Sequence, residues 1–157
     1  MEDSRPATYE HIQTVQNLLN KVVVDLIDRG EKHDQSKLVD PEKIYFDEYT
    51  PRLKGMTYGS DEYKQCLTEM KPALDHHYIH NSHHPEYYSD GIRGMSLSDL
   101  IEMLCDWRAA TLRHADGDIM KSIEINQKRF GYSDELKQIL LNSVPLITDK
   151  GRKNRSS

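Results

Sequence analysis

The chain is short of most features that would mark a secreted, membrane or nucleic-acid-binding protein. It has two cysteines in 157 residues, Cys66 and Cys105, too far apart to form a CxxC pair. That excludes a cysteine-ligated structural zinc site. The thiols read as reduced, which leads to the expectation of a cytoplasmic protein. No apolar run approaches the ~20 residues a membrane span needs. The opening MEDSRPATYE has no signal-peptide core, so no membrane association is expected. Basic charge is also scarce. Lys and Arg number 21 against 26 Asp and Glu, a net charge of −5, which argues against general nucleic-acid binding. A local positive pocket for one small phosphate ligand is still allowed. With 36% hydrophobic and 30% charged residues, one Trp and two Phe, the core has to be economical, and the length suits one domain.

Missing too is the period-two alternation of strands. Helical spacing is present instead. Residues 9–28 place Ile12, Val15, Leu18, Leu19, Val22, Leu26 and Ile27 on one side of a helix, with Thr8 as cap and Gly30 just past its end. A second helix follows Asp40-Pro41 and ends before Pro51 or Gly55. A third starts after Ser60 and runs through Leu67, Met70, Ala73 and Leu74 towards His77, with Asp61 and Glu62 in its first turn. Residues 78–95, with Pro85, Gly91 and Gly94, read as irregular. SLSD at 96–99 resembles a capping box and opens a helix through Leu100, Ile101, Leu104, Cys105 and Leu112. Two more helices are expected over 118–130 and after Ser133 through Leu140 and Leu141. The expectation is an all-α, single-domain bundle of about six helices over 9–147, preceded by an extension at 1–8. A basic, frayed tail follows at 148–157.

Histidines are concentrated rather than scattered. HHYIHNSHHPEYY at 76–88 holds five of the eight. Either this is a polar surface loop or the rings converge on a metal ion, and the density favours metal. No HExxH or other fixed zinc spacing is present. His77 continues the Leu67, Met70 and Leu74 face and is expected to point inward. His76 and His80 lie towards neighbouring faces. His11 sits on the apolar stripe of its helix, as a half-buried structural histidine or as a ligand. His33-Asp34, within KHDQSKL, can give one imidazole and one carboxylate to a borderline cation. Asp106 aligns with Asp99, Glu102 and Arg113, opposite Leu97, Ile101 and Leu104. Periodicity alone makes that a solvent-facing stripe, and packing on both sides would turn it into a ligand face. Arg108 is a cation near the centre of the apolar stripe, placed to snorkel, to pair with an acid or to bind phosphate.

The order His11, His33-Asp34, two histidine pairs and Asp106 resembles the HD-domain superfamily of metal-dependent phosphohydrolases, whose signature is H…HD…D in an all-α domain. HDQSK and HHPE resemble the HDxxK and HHE elements of its HD-GYP branch, and Asp90-Gly91 has a counterpart there. The GYP tripeptide itself is replaced by Gly91-Ile92-Arg93-Gly94, and the spacing from His83 to Asp90 is longer than in that branch, which argues against cyclic-dinucleotide hydrolysis. The chain also resembles a family common in phages and bacteria with HDxSK, HHPE and DW elements, so a bacterial cell or an infected host is the expected setting.

The resemblance implies that His11, His33, Asp34 and Asp106 hold one metal. His77, His83 and His84 would hold a second or contact the phosphate. Manganese or iron is expected first, with Co, Ni, Zn or Mg as alternatives and one or two ions in all. Lys37 would neutralise phosphate charge, with Arg108 and Arg93 behind it, and Glu86 would act as ligand or acid/base group. The implied activity is hydrolysis of a nucleotide or related small phosphate ester by metal-activated water. Two other readings are an HD-like module that binds a ligand or partner without turnover, and an HD-type di-iron oxygenase. A homo-oligomer would suit the sparing core.

Overall fold

Polar side chains that can bond the backbone set most helix starts. Ser60, Ser96 and Ser133 each accept a hydrogen bond from the amide three residues on, and the Asp118 carboxylate accepts from Met120. The result, described from a computed structural model for residues 3–57, 60–113 and 117–148, is all-α, with no strand among the described residues. Backbone contacts divide the chain into two units at the His33–Asp34 bond. The sequence hides that boundary, because no Pro-, Gly- or Ser-rich linker lies there.

The first unit is one helix, α1 (Arg5–Lys32). It begins earlier than expected because Pro6 sits in the first turn, where a missing N–H costs nothing. Thr8 is therefore inside the helix, its hydroxyl bonded to the Ser4 carbonyl, and Gly30 lies within the last turn.

The second unit holds α2 (Glu42–Lys54), α3 (Asp61–Glu69), α4 (Lys71–His80), α5 (Leu97–Thr111), α6 (Ile119–Phe130) and α7 (Asp134–Ser143). Four 3-10 turns connect or end these helices: Gln35–Leu38, Pro85–Tyr87, Gly91–Gly94 and Val144–Leu146. The expected third helix is two, broken at Met70, with Pro72 in the first turn of α4. Tyr49, Cys66 and Met70 form one buried cluster where α2, α3 and α4 meet. Leu104, Ile119, Ile123, Tyr132 and Leu140 form a second, where α5 and α7 pack on α6. Gly131, at φ +65°, ends α6 in the left-handed conformation that favours glycine.

Two features of this unit position the site. The first is the orientation of α5. Its buried residues are Asp99, Met103 and Leu104, whereas Leu97 and Ile101 are 78% and 42% exposed. The acidic stripe therefore faces inward, while Leu104 of the opposite, apolar stripe is buried in the core as well. The helix is packed on both sides, and periodicity alone misses the covering of the acids. Asp99 accepts from the Ser96 amide (2.7 Å), the Ser96 hydroxyl (2.6 Å) and the Tyr88 hydroxyl (2.8 Å). The second is Gly94, where an added Cβ would meet Tyr88 at 2.8 Å, so glycine lets that tyrosine lie close to the backbone.

Candidate metal centre

Burial singles out four polar side chains in the second unit: Glu42, His77, His83 and Asp99 are each 2% exposed or less. A buried charge or imidazole needs partners to be tolerated. Glu42, in the first turn of α2, is fully enclosed. Its Oε1 accepts from His76 Nδ1 at 2.7 Å, and its Oε2 accepts from Ser36 Oγ and His77 Nδ1, both at 2.9 Å. Burial pushes the Glu42 pKa up, but the bonds from His76 and Ser36 and the charge and bond of His77 outweigh it. The group ends below the usual carboxylate range and is ionised.

A carboxylate can only accept, so His77 carries its proton on Nδ1 and keeps a lone pair on Nε2. That Nε2 lies 3.0 Å from His84 Nε2 and 3.2 Å from Asp34 Oδ1. His83 repeats the arrangement from the other side. Its Nδ1 lies 3.1 Å from Glu102 Oε1 on α5, and its Nε2 lies 3.6 Å from Asp34 Oδ1. Holding a ligating histidine by a carboxylate on its far nitrogen is the usual way to fix tautomer and ring direction at a metal. Burial, and the charges of His83 and His77, push the His84 pKa down to about 3, with Asp106 opposing. His84 is therefore neutral at pH 7 and offers a lone pair too.

Asp34 itself adopts φ +57°, ψ +13°, a left-handed conformation that is uncommon outside glycine and that Asp and Asn tolerate best. Its Oδ2 takes a 2.6 Å ion pair from Lys37, whose ammonium also sits 5.1 Å above the Phe46 ring. One donor atom each from Asp34, His77, His83 and His84 lie within 4.8 Å of one another. A first-row cation with bonds of about 2.1 Å draws such donors slightly closer. Three imidazoles and a carboxylate suit Mn, Fe, Co or Zn. The donor chemistry therefore fits a metal ion, and the cluster could hold one.

The other expected residues fall as follows. Asp106 brings a carboxylate oxygen within 4.8 Å of one of Asp34. Glu86 lies in the turn after His84 and accepts from Arg129 at 2.7 Å, the guanidinium also lying over the Phe130 ring. It is engaged at the rim instead of among the converging donors. Arg108 is half-buried, donates to Thr111 Oγ1 at 3.3 Å, and has its Nε buried with no hydrogen-bond acceptor among the described residues. Arg93 is exposed. His33 caps the C-terminal end of α1 and is joined by its peptide bond to Asp34. His11 needs correcting. It shares one unbroken helix with His33, and the helical rise puts the two about 33 Å apart, so one chain cannot use both on one ion.

Glu42 and Glu102, which aim His77 and His83, went unrecognised as orienting groups. For Glu102 the signal was its place on the acidic stripe. For Glu42 nothing local marks it.

The site thus defines an all-α protein with a partly buried three-histidine, one-aspartate cluster backed by carboxylates. By sequence the chain belongs to the family of unknown function DUF5662, matched over residues 1–146. No curated protein and no solved structure matches it.

Proposed function

We propose that the protein is a metal-dependent phosphohydrolase acting on a nucleotide or another small phosphate ester. The observation behind this reading is the convergence of Asp34 Oδ1 with the Nε2 atoms of His77, His83 and His84, two of those rings being aimed by Glu42 and Glu102. Asp34, His77, His83 and His84 would hold the ion, with Asp106 beside them. A bound divalent cation supplies a Lewis acid for a phosphoryl oxygen and lowers the pKa of water towards neutrality.

The chain's own contribution is positioning and charge. Lys37, tied to Asp34 Oδ2, sets a cation at the edge of the cluster, where it offsets charge on an incoming phosphate. The Arg129–Glu86 pair lies beyond His84. Arg129 reaches over the Tyr78 ring (5.8 Å), and Tyr78 lies against the His84 ring (4.8 Å). That wall offers an aromatic face and a guanidinium to the rest of a substrate.

The test compares wild-type protein with Asp34→Asn by elemental analysis, then by phosphate release from a panel of nucleotides and simple phosphate esters. Stoichiometric Mn, Fe or a related metal, absent from the folded variant and accompanied by phosphate release in the wild type alone, supports the proposal. No metal after reconstitution with Mn and Fe refutes it. Metal with oxygen consumption and no phosphate release would replace hydrolysis by oxygenase chemistry.

A further inference from the structure

Two histidines of the 76–84 cluster stand outside the buried centre. His76 and His80 lie one turn apart on α4, where side chains at i and i+4 share a face. Their rings stack with centroids 4.0 Å apart and planes 22° off parallel. The proton of each ring can be placed by chemistry. His76 Nδ1 faces the Glu42 carboxylate at 2.7 Å, and His80 Nδ1 faces the His76 carbonyl at 2.6 Å. Both partners only accept, so both rings carry hydrogen on Nδ1 and a lone pair on Nε2. His80 is exposed, and the His76 side chain is 34% exposed.

We infer that His76 and His80 form a second, surface cation site, separate from the buried cluster. Two imidazoles that present Nε2 with their far nitrogens held by acceptors are a chelate for a borderline divalent cation. The preference should follow the order Co²⁺ < Ni²⁺ < Cu²⁺, with Zn²⁺ below copper and Mg²⁺ and Ca²⁺ excluded. Water would fill the remaining coordination positions. The rings stack nearly parallel, so shared ligation would require the exposed His80 ring to tilt until both Nε2 atoms face one ion. Glu42 links the two sites, since Oε1 orients His76 outside and Oε2 orients His77 inside.

The test is calorimetric titration of Ni²⁺ into the metal-loaded protein, comparing wild type with His80→Ala. His80 is exposed and, among the described residues, its ring contacts are within its own helix, so the variant should fold and keep its buried metal. The wild type should take one further equivalent of Ni²⁺, weakened at least about tenfold in His80→Ala. Equal stoichiometry and affinity in the two proteins would overturn the inference. The same titration on Asp34→Asn keeps this result apart from the buried centre, because the outer equivalent should survive there. Its loss in that variant would mean that the nickel had been reporting on the buried cluster.

Discussion

Replacing Glu42 by Gln changes almost no volume, and it probes how the histidines are aimed. The carboxylate presents two acceptors, Oε1 to His76 and Oε2 to His77 and Ser36. The amide presents one acceptor and one donor. One of the two histidines must then move its proton to Nε2, and that ring can no longer ligate. Two donors share the Oε2 side, so the amide nitrogen should face His76, and the outer pair should fail first. The buried centre keeps a neutral acceptor in place of an anion, which lowers the basicity of His77. Losing such a partner typically weakens metal affinity ten- to a hundredfold, and we expect about tenfold here, or about 1.4 kcal/mol. Exchanging charge-assisted bonds for neutral ones inside the protein should also destabilise the apo fold by about 2 kcal/mol, lowering its melting temperature by roughly 4–8 °C. Competition against a chromogenic chelator reads the buried site, nickel calorimetry reads the outer one, and thermal unfolding reads the fold. If Glu42→Gln keeps both metal equivalents at wild-type affinity, the orienting role assigned to Glu42 is wrong.

The remaining predictions concern stability. Ile123 is fully buried in the α5–α7 cluster, so Ile123→Ala should destabilise by about 3 kcal/mol, read as a lower urea midpoint at unchanged slope. Burial pushes the Asp99 pKa up, but hydrogen bonds from Ser96, Tyr88 and Ser82 hold it well below the usual carboxylate range. Its stabilisation is complete above the unfolded value near 4 and is lost as pH falls below it. Thermal melts between pH 6 and 2 should show that acid loss in the wild type and a flatter profile in Asp99→Asn. Burial pushes the Tyr132 hydroxyl up to about 12, where it donates to the Ile123 carbonyl. The unfolded chain ionises first, so stability holds below pH ~10 and falls as pH rises from there towards 12. Tyr132→Phe should lose that alkaline dependence along with about 1 kcal/mol, as measured by unfolding at pH 8–11.

Helix starts were legible because they are local. The chemistry of Ser60, Ser96 and Ser133 acts within three residues of each cap, and these three starts emerge as read, while Asp118, read as the first residue of its helix, is its cap. Faces were harder. Periodicity shows that the two sides of α5 differ, but it cannot say that the acidic side is covered as well as the apolar one. The inward aspect of His77 was legible because its helical neighbours are apolar. The break at Met70 was missed because the apolar spacing continues across it, although Pro72 marked the spot. Glu42 illustrates the limit. Its partners lie 6, 34 and 35 residues away, and no local pattern encodes a bond that only tertiary packing creates. His11 illustrates the converse error, in which the order of residues suggested a convergence that one continuous helix forbids.

The left-handed backbone at Asp34 has a consequence at the level of codons. Conformation favours Gly, Asn or Asp at this position, and only Asp supplies the anion. Both alternatives are one nucleotide from an aspartate codon. Either change would remove the anion from the candidate cation site while leaving the turn unstrained. A descendant carrying Asn or Gly here would keep the same turn, and the change would be read in its capacity to take up a metal rather than in its fold.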